Sequence, residues 1–268
     1  MKDITSKGIQ MNKKYLHTLE DQIVKDVYSA ISKCQKDNQY FCGGMSTQFF
    51  LPEHLHRTSS DIDTNGVQKL SLGEFQRSII PGLEELLSKG YKQSTKKKRA
   101  TYDIQLENEN SIIILQYPRK STSSYPWLQK VTEKENSNAQ TVNFEGNKLR
   151  ITPTEDLILH KLLRSKRFVE GYNLKNPKST KLVSLQNSIN DLKRDYTINQ
   201  FNLDPQESQR AIAKIRLYAD IFDIMALSRY KGLDKNYFLE SMQDYNRLKK
   251  DKGKIIDYLE TLSPNVFK

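Results

Sequence analysis

Two aspartates separated by one isoleucine, Asp61-Ile62-Asp63, are the residues of this chain best placed to do chemistry. On a strand both carboxylates leave the same face, because side chains alternate along β-structure. Two like charges held side by side call for a divalent cation, and magnesium favours one or two protein carboxylates plus substrate phosphates. The same aspartates open the stretch "DIDTNGVQKLSLGEF", which also invites an EF-hand reading. Started at Asp63, a calcium loop has Val67 and Gln68 where a ligand and the turn glycine belong. Started at Asp61, it has Gly66 for the turn but Leu72 in place of the closing glutamate. Neither frame closes a calcium cage, so the strand reading is preferred.

Upstream, Gly43 and Gly44 follow the strand-like "QYFC" and precede a helix expected to begin near Ser46. Glycines there let backbone amides approach phosphate oxygens, and a helix N-terminus adds partial positive charge. Ser46 can donate its hydroxyl to the same phosphates. A phosphate-binding turn shortly before a metal-binding strand is what a nucleoside triphosphate with magnesium requires. Either feature alone is common: Asp-x-Asp occurs by chance in solvated turns, and Gly-Gly pairs in ligand-free ones.

The elements that must hold these residues follow from periodicity. Residues 15–37 carry Leu19, Ile23, Val27, Ala30 and Ile31 at helical spacing. Residues 72–89 suit a helix that Pro81 should kink or split, with Gly90 as its stop. "TYDIQLE" and "SIIILQYP" form two strands joined by a polar turn. The polar stretch 119–150 reads as a loop plus the strand segments "QTVNFEG" and "KLRIT". At "TPTEDLILHKLLRSKR" the pattern becomes helical, with Thr152, Pro153 and Glu155 in the form of a cap. Helices prevail from there, the clearest over 206–230, while 171–180 reads as a loop. The expected organisation is an α/β (α+β) domain over 1–150 and a mainly helical domain over 151–268 that closes the active-site cleft.

The 268 residues accommodate one large or two small domains. No apolar run is long enough to cross a bilayer, and the first residues lack the apolar core of a signal peptide. Cys34 and Cys42 fit neither a redox pair nor a zinc site, so reduced thiols in a cytoplasm are expected. A net charge of +11 favours a polyanionic partner, nucleic acid first.

The segment "GGMSTQFFLPEHLHRTSSDID" resembles the active-site signature of the DNA polymerase β-type nucleotidyltransferase superfamily. Within it the likeness is closest to the AbiEii/AbiGii toxin-type nucleotidyltransferases. Gly43, Gly44, Arg57, Ser59, Asp61 and Asp63 match the places of that motif, although "LPEHLH" lengthens the interval between glycines and aspartates. "TPTEDLILHKLLRSKR" resembles the family helix whose lysine contacts nucleotide phosphates. Lys161 falls at that place, with Arg164 or Arg167 beyond it. An aspartate on the next helix is matched by Asp191 or Asp195. The likeness spans 35–195 loosely. It departs from the superfamily where a third carboxylate often stands on a later strand: that strand here offers Gln116, with Asp103 on the strand before it as a possible substitute.

The resemblance implies an EC 2.7.7-like enzyme that moves a nucleoside monophosphate from an NTP to an acceptor hydroxyl. Asp61 and Asp63 would hold Mg2+ (or Mn2+). Gly43, Gly44, Ser46, Arg57, Ser59, Asp191 and Lys161 would bind the nucleotide, and Lys161 would also neutralise charge on its phosphates. With this net charge the expected acceptor is RNA, foremost a tRNA 3′ end, and the toxin-type likeness implies a growth-blocking transfer restrained by a separate antitoxin protein. Two other readings remain open: AMPylation-like modification of a protein hydroxyl, and a non-catalytic RNA-binding member of the fold. His54-x-His56 lacks further zinc ligands nearby, and His160 defaults to a helix surface. The basic run 96–99 either tracks a nucleic-acid backbone or solvates a sheet edge, and Tyr125 and Trp127 either stack a base or pack under a loop.

Overall fold

The computed structural model describes residues 13–67, 70–98, 101–118, 126–169, 181–199 and 202–267. It is a mixed α/β structure with a seven-stranded mixed sheet and ten helices among the described residues. The chain forms two compact units: Met1–Ser46, Thr58–Leu128 and Ala139–Ile151 make a sheet unit, and Thr47–Arg57, Gln129–Asn138 and Thr152–Lys268 make a helical unit. Segments 47–57 and 129–138 therefore belong with the helices although they lie early in sequence. The helix-rich and sheet-rich parts are interleaved along the chain.

In the sheet unit, α1 (Gln22–Ser32) leads into β1 (Gln39–Cys42) and a single helical turn, α2 (Gly43–Ser46). β2 (Asp61–Gly66) is followed by α3 (Leu72–Ser78) and α4 (Ile80–Ser88). The break between these helices lies at Ile79, and Pro81 takes a first-turn place in α4, where its missing N–H leaves no bond unmade. Gly90, at φ +86°, ends the helix. β3 (Lys92–Lys97), β4 (Thr101–Glu107) and β5 (Ile112–Pro118) follow, then the hairpin β6 (Gln140–Phe144) and β7 (Asn147–Ile151). The hairpin turns through Glu145 and Gly146, both at positive φ, as the right-handed twist of its strands favours.

The sheet order is β3-β4-β5-β2-β1-β7-β6, with β2–β5 and β1–β7 parallel and the other pairs antiparallel. Ile62, Ile104, Leu106, Ile113, Leu115 and Tyr117 are buried on one face of the central strands, and α1 packs against α4, β5 and β7. On the other face Asp61, Asp63, Gln105 and Gln116 are half-buried. Two expectations are corrected here. Residues 15–21 do not begin a helix, because His17 bridges the backbone of Ser59 instead. The helix expected to start near Ser46 is only the turn Gly43–Ser46 followed by a 3-10 turn, Thr47–Phe50, so it has little macrodipole to offer.

The helical unit contains most of α5 (Pro126–Ser137), a helix within a stretch expected to be a loop. It continues with α6 (Thr154–Val169), α7 (Leu182–Asn199), α8 (Pro205–Tyr230), α9 (Lys235–Asp244) and α10 (Lys252–Leu262). α8 is its axis: residues 219–228 are all buried, and α6, α7 and α10 pack on it. Its start is fixed by Asp204, which accepts from the amides of Gln206 and Glu207 while Glu207 reciprocates. Glu155, expected to reciprocate in a cap, instead accepts from the amide of Asp234 at 2.8 Å. No described helix is long and apolar enough to cross a membrane. The predicted loop 171–180, Arg99 and Tyr125 lie outside the described residues.

Candidate functional site

β2 alternates as its sequence requires: Ile62 and Thr64 are buried, while Asp61 and Asp63 stay half-exposed on the opposite face. Ser59 donates to Asp61 Oδ1 at 2.8 Å. Ser59 is itself pinned by two backbone bonds with His17, at 2.7 and 2.8 Å, and the His17 ring donates from Nε2 to the Ile112 carbonyl at 2.9 Å. Burial lowers the His17 imidazole, outweighing this bond and the Asp21 charge, which raise it. The expected site serine is thus positioned by a residue 42 positions earlier, a contact that no local pattern announces.

β1 delivers the first glycine to the second aspartate. Cys42 pairs with Asp63 across the β1–β2 ladder, and Gly43 comes next, at φ +78°. A Cβ on Gly43 would lie inside the Asp63 carboxylate, so only glycine fits, on steric and conformational grounds together. Ser46 is fully buried, with its hydroxyl near the Tyr28 phenol. Burial drives the Tyr28 phenol far above its ordinary range, and the nearby Asp63 and Asp61 charges push it the same way. Gly43, Gly44, Ser46, Ser59, Asp61 and Asp63 therefore belong to one unit and one end of β1 and β2.

The registers answer the question of a third carboxylate. Asp63 is level with Gln116 on β5, and Gln116 is level with Asp103 on β4. Directly opposed residues share a face, so Asp103 faces the same way as the aspartate pair but stands two strands away, roughly 10 Å at 4.7–4.9 Å per strand. Its carboxylate is buried and accepts from Thr101 at 2.7 Å and Gln116 at 3.2 Å, with Lys98 as its ion-pair partner. The neighbouring place belongs to a neutral amide. Among the described residues no group of three or more His, Cys, Asp or Glu is arranged to hold a metal. The two-carboxylate donor set still suits a cation whose remaining ligands come from phosphates and water.

The other expected residues lie in the helical unit and are occupied there. Asp223 on α8 is fully buried and accepts from Arg57 twice, from Nε at 2.7 Å and from a terminal nitrogen at 2.6 Å. It also accepts from Lys161 Nζ at 2.5 Å. Lys161 lies 3.9 Å from Asp220, which in turn holds Arg164 at 2.5 Å. Burial alone would raise the Asp223 carboxyl, but Arg57 and Lys161 overcome it and hold it at about 2. The ammonium expected to neutralise phosphates neutralises Asp223 in this arrangement. Asp191 is exposed and pairs with Arg194 at 2.9 Å, one turn along α7. Asp220 and Asp223, not Asp191, are the carboxylates that meet the Lys161 helix. Their signal was present in "YADIFDIMALS": two aspartates in an otherwise apolar, buried run need cationic partners.

His56 bonds the Leu51 carbonyl at 3.0 Å, and His54 lies edge-on to Tyr230. His160 is half-buried and meets Glu135 at 2.6 Å. Burial would lower its imidazole, but Glu135 and Asp156 raise it above its ordinary value. Asp156, one turn before His160, accepts from Tyr237 at 2.6 Å, and its carboxyl is raised to about 7 by burial and by Glu135. Trp127 is half-buried on α5.

No family model matches the chain, and no curated protein matches it. Among solved structures, an antigenic nucleotidyltransferase-like protein from Paracoccidioides brasiliensis is similar at a TM-score of 0.40 and 12% identity. The similarity covers 88% of this chain and 93% of that chain.

Proposed function

We propose that the chain is a magnesium-dependent (or manganese-dependent) nucleotidyltransferase that moves a nucleoside monophosphate from an NTP to a hydroxyl of RNA, foremost a tRNA 3′ end. The observation that carries this reading is the fit of Gly43 against the Asp63 carboxylate, with Asp61 beside it under the Ser59 hydroxyl. The Asp63 carboxylate lies directly against the turn after β1, beside its partner Asp61, and this supports a cation site at that end of the strands.

Asp61 and Asp63 would hold the cation, which when bound supplies charge to the triphosphate and to the departing pyrophosphate. The residues of the chain do the rest. Ser59 orients Asp61, and Gly43 leaves room for the Asp63 carboxylate to lie against the turn. The acceptor oxygen bonds to the α-phosphorus, and the bond from that phosphorus to the bridging oxygen breaks. Pyrophosphate carries away the electron pair, and the hydroxyl proton passes to a carboxylate of the pair or to water. Arg57 and Lys161, locked on Asp223, stiffen the helical unit in this reading. The toxin-like subgroup and its antitoxin belong to the same proposal and are tested by growth arrest on expression.

A non-catalytic RNA-binding role is the second reading, favoured by Gln116 standing level with Asp63 where a carboxylate would complete a triad. A transfer assay decides. Purified protein is incubated with magnesium, each α-labelled NTP, total RNA and extract protein, beside the Asp61→Asn/Asp63→Asn variant. Label in RNA with wild type alone supports the proposal. Label in a protein band moves the acceptor, and label in neither, with RNA binding intact, leaves the second reading.

A further inference from the structure

One edge of the sheet takes no part in the chemistry above. β3 is the terminal strand, and all of Lys92–Lys97 is exposed. With Lys98 next in sequence, "KQSTKKK" carries four lysines and no carboxylate. The ladders fix where they point. Lys96 is level with Asp103, Asp103 with Gln116, and Gln116 with Asp63. Ser94 is likewise level with Gln105, Ile114 and Asp61. Lys96 and Ser94 therefore share the face of the aspartate pair, at three strand spacings, roughly 14–15 Å.

The surface between is neutral. Gln105, Gln116, Ile114 and Thr101 are half-buried along it, and Asp103, its one carboxylate in the Lys96 row before Asp63, is buried and paired with Lys98. Glu107, farther along β4, is paired with Lys13 at 2.5 Å. A terminal strand can template an added peptide strand through its backbone, and lysines on both of its faces oppose that use. The same lysines, compact and strongly hydrated point charges, suit phosphates. Amide side chains behind them can bond to sugar hydroxyls and base edges without repelling a polyanion.

We propose that the β3 edge and the neutral face behind it bind the phosphodiester backbone of the acceptor RNA, as a single strand whose 3′ end crosses β4 and β5 to reach Asp61 and Asp63. This rests on the RNA reading of the site and adds to it a path and a polarity.

The test measures binding apart from turnover. A short fluorescein-labelled single-stranded RNA is titrated with the full chain at several salt concentrations, for wild type, Lys92→Gln/Lys96→Gln (both on the aspartate face), Lys92→Arg/Lys96→Arg and, as a control in the helical unit, Lys249→Gln/Lys250→Gln. Thermal melts confirm that each is folded. Each phosphate contact contributes about 0.7 to the salt slope of single-strand binding, so the glutamine pair should flatten it by ~1.4. The arginine pair should restore it and the control should not move it. In transfer, the glutamine pair should raise KM for RNA and leave KM for NTP and kcat unchanged. No binding by wild type, an unchanged slope in the glutamine pair, or an equal loss in the control would each overturn the path. Label transferred to protein would overturn it as well. The Asp61→Asn/Asp63→Asn variant separates the two claims: retained transfer sinks the chemistry, while the lysine-dependent slope still decides the edge.

Discussion

The two units treat paired aspartates in opposite ways. On β2, Asp61 and Asp63 stand two apart, half-exposed, beside a hydroxyl and a glycine. On α8, Asp220 and Asp223 stand three apart, buried, and are met by Arg57, Lys161 and Arg164. The helical pair is neutralised within its own unit, and the basic side chains around it are used up in doing so. The strand pair has the Ser59 hydroxyl on Asp61 and the bare backbone of Gly43 against Asp63. The helical pair is tied into the interior of its unit, and the strand pair stays half-exposed. Residue type does not tell the two apart; their partners do.

The sharpest way to break this contrast is to remove charge from each pair. Asp61→Asn and Asp63→Asn should each lower transfer by about a thousandfold or more, the several kcal/mol by which a bound cation stabilises transferring phosphates. Neither should lower the melting temperature by more than a few degrees. Asp223→Ala should do the reverse in kind. It leaves Arg57 and Lys161 buried without a counter-charge, and urea unfolding should show a loss of about 3–5 kcal/mol. If Asp63→Asn unfolds the protein, or Asp223→Ala is silent in urea, the contrast is wrong.

Gly43→Ala sits between the two. The left-handed backbone and the Asp63 carboxylate both resist a Cβ, so a loss of about 2 kcal/mol or more in stability is expected together with transfer. Wild-type activity in this variant would sever Gly43 from the proposed site. The smallest effect is a pH dependence of opposite sign in two clusters. Asp223, held at about 2, contributes stability above its ordinary value of 3.8 that is lost as pH falls towards 2. Asp156, raised to about 7, is favoured protonated, so its contribution is present below 3.8 and is lost as pH rises through 7. His160, raised above 6.5, adds to the loss on the alkaline side. Melting temperature should therefore fall between about pH 5 and 8, and Asp156→Asn, which keeps an acceptor for Tyr237, should flatten that limb. An unchanged slope would remove Asp156 as its cause.

Legibility in sequence followed the range of the interaction. Period-two alternation in "DIDTNG", the split at Pro81 and the stop at Gly90 are written in neighbouring residues, and the structure shows them. α5 was missed because "WLQKVTEKENS" has only Trp127, Leu128 and Val131 as apolar residues at helical spacing, and the burial of Glu135 there depends on Tyr245 and His160 more than 20 residues away. The extended backbone around His17 depends on Ser59, and the face of Asp103 on a register that a single sequence does not display. Asp191 and Asp195 lie on the helix after Lys161, whereas Asp220 and Asp223, one helix further on, are the aspartates that meet it. The actual meeting of charges is a matter of packing between helices.

The reach of the Arg57–Asp223 bond has a consequence for synthesis. The partners are 166 residues apart, and Arg57 leaves the ribosome with the first third of the chain. At about 5–20 residues per second, Asp223 follows roughly 8–33 s later. Throughout that interval the guanidinium destined for the interior has no native counter-ion, and segment 47–57 has none of α8 to pack against. Nascent chains stalled before residue 223 should therefore be open to protease around Arg57, and those stalled well beyond α8 closed.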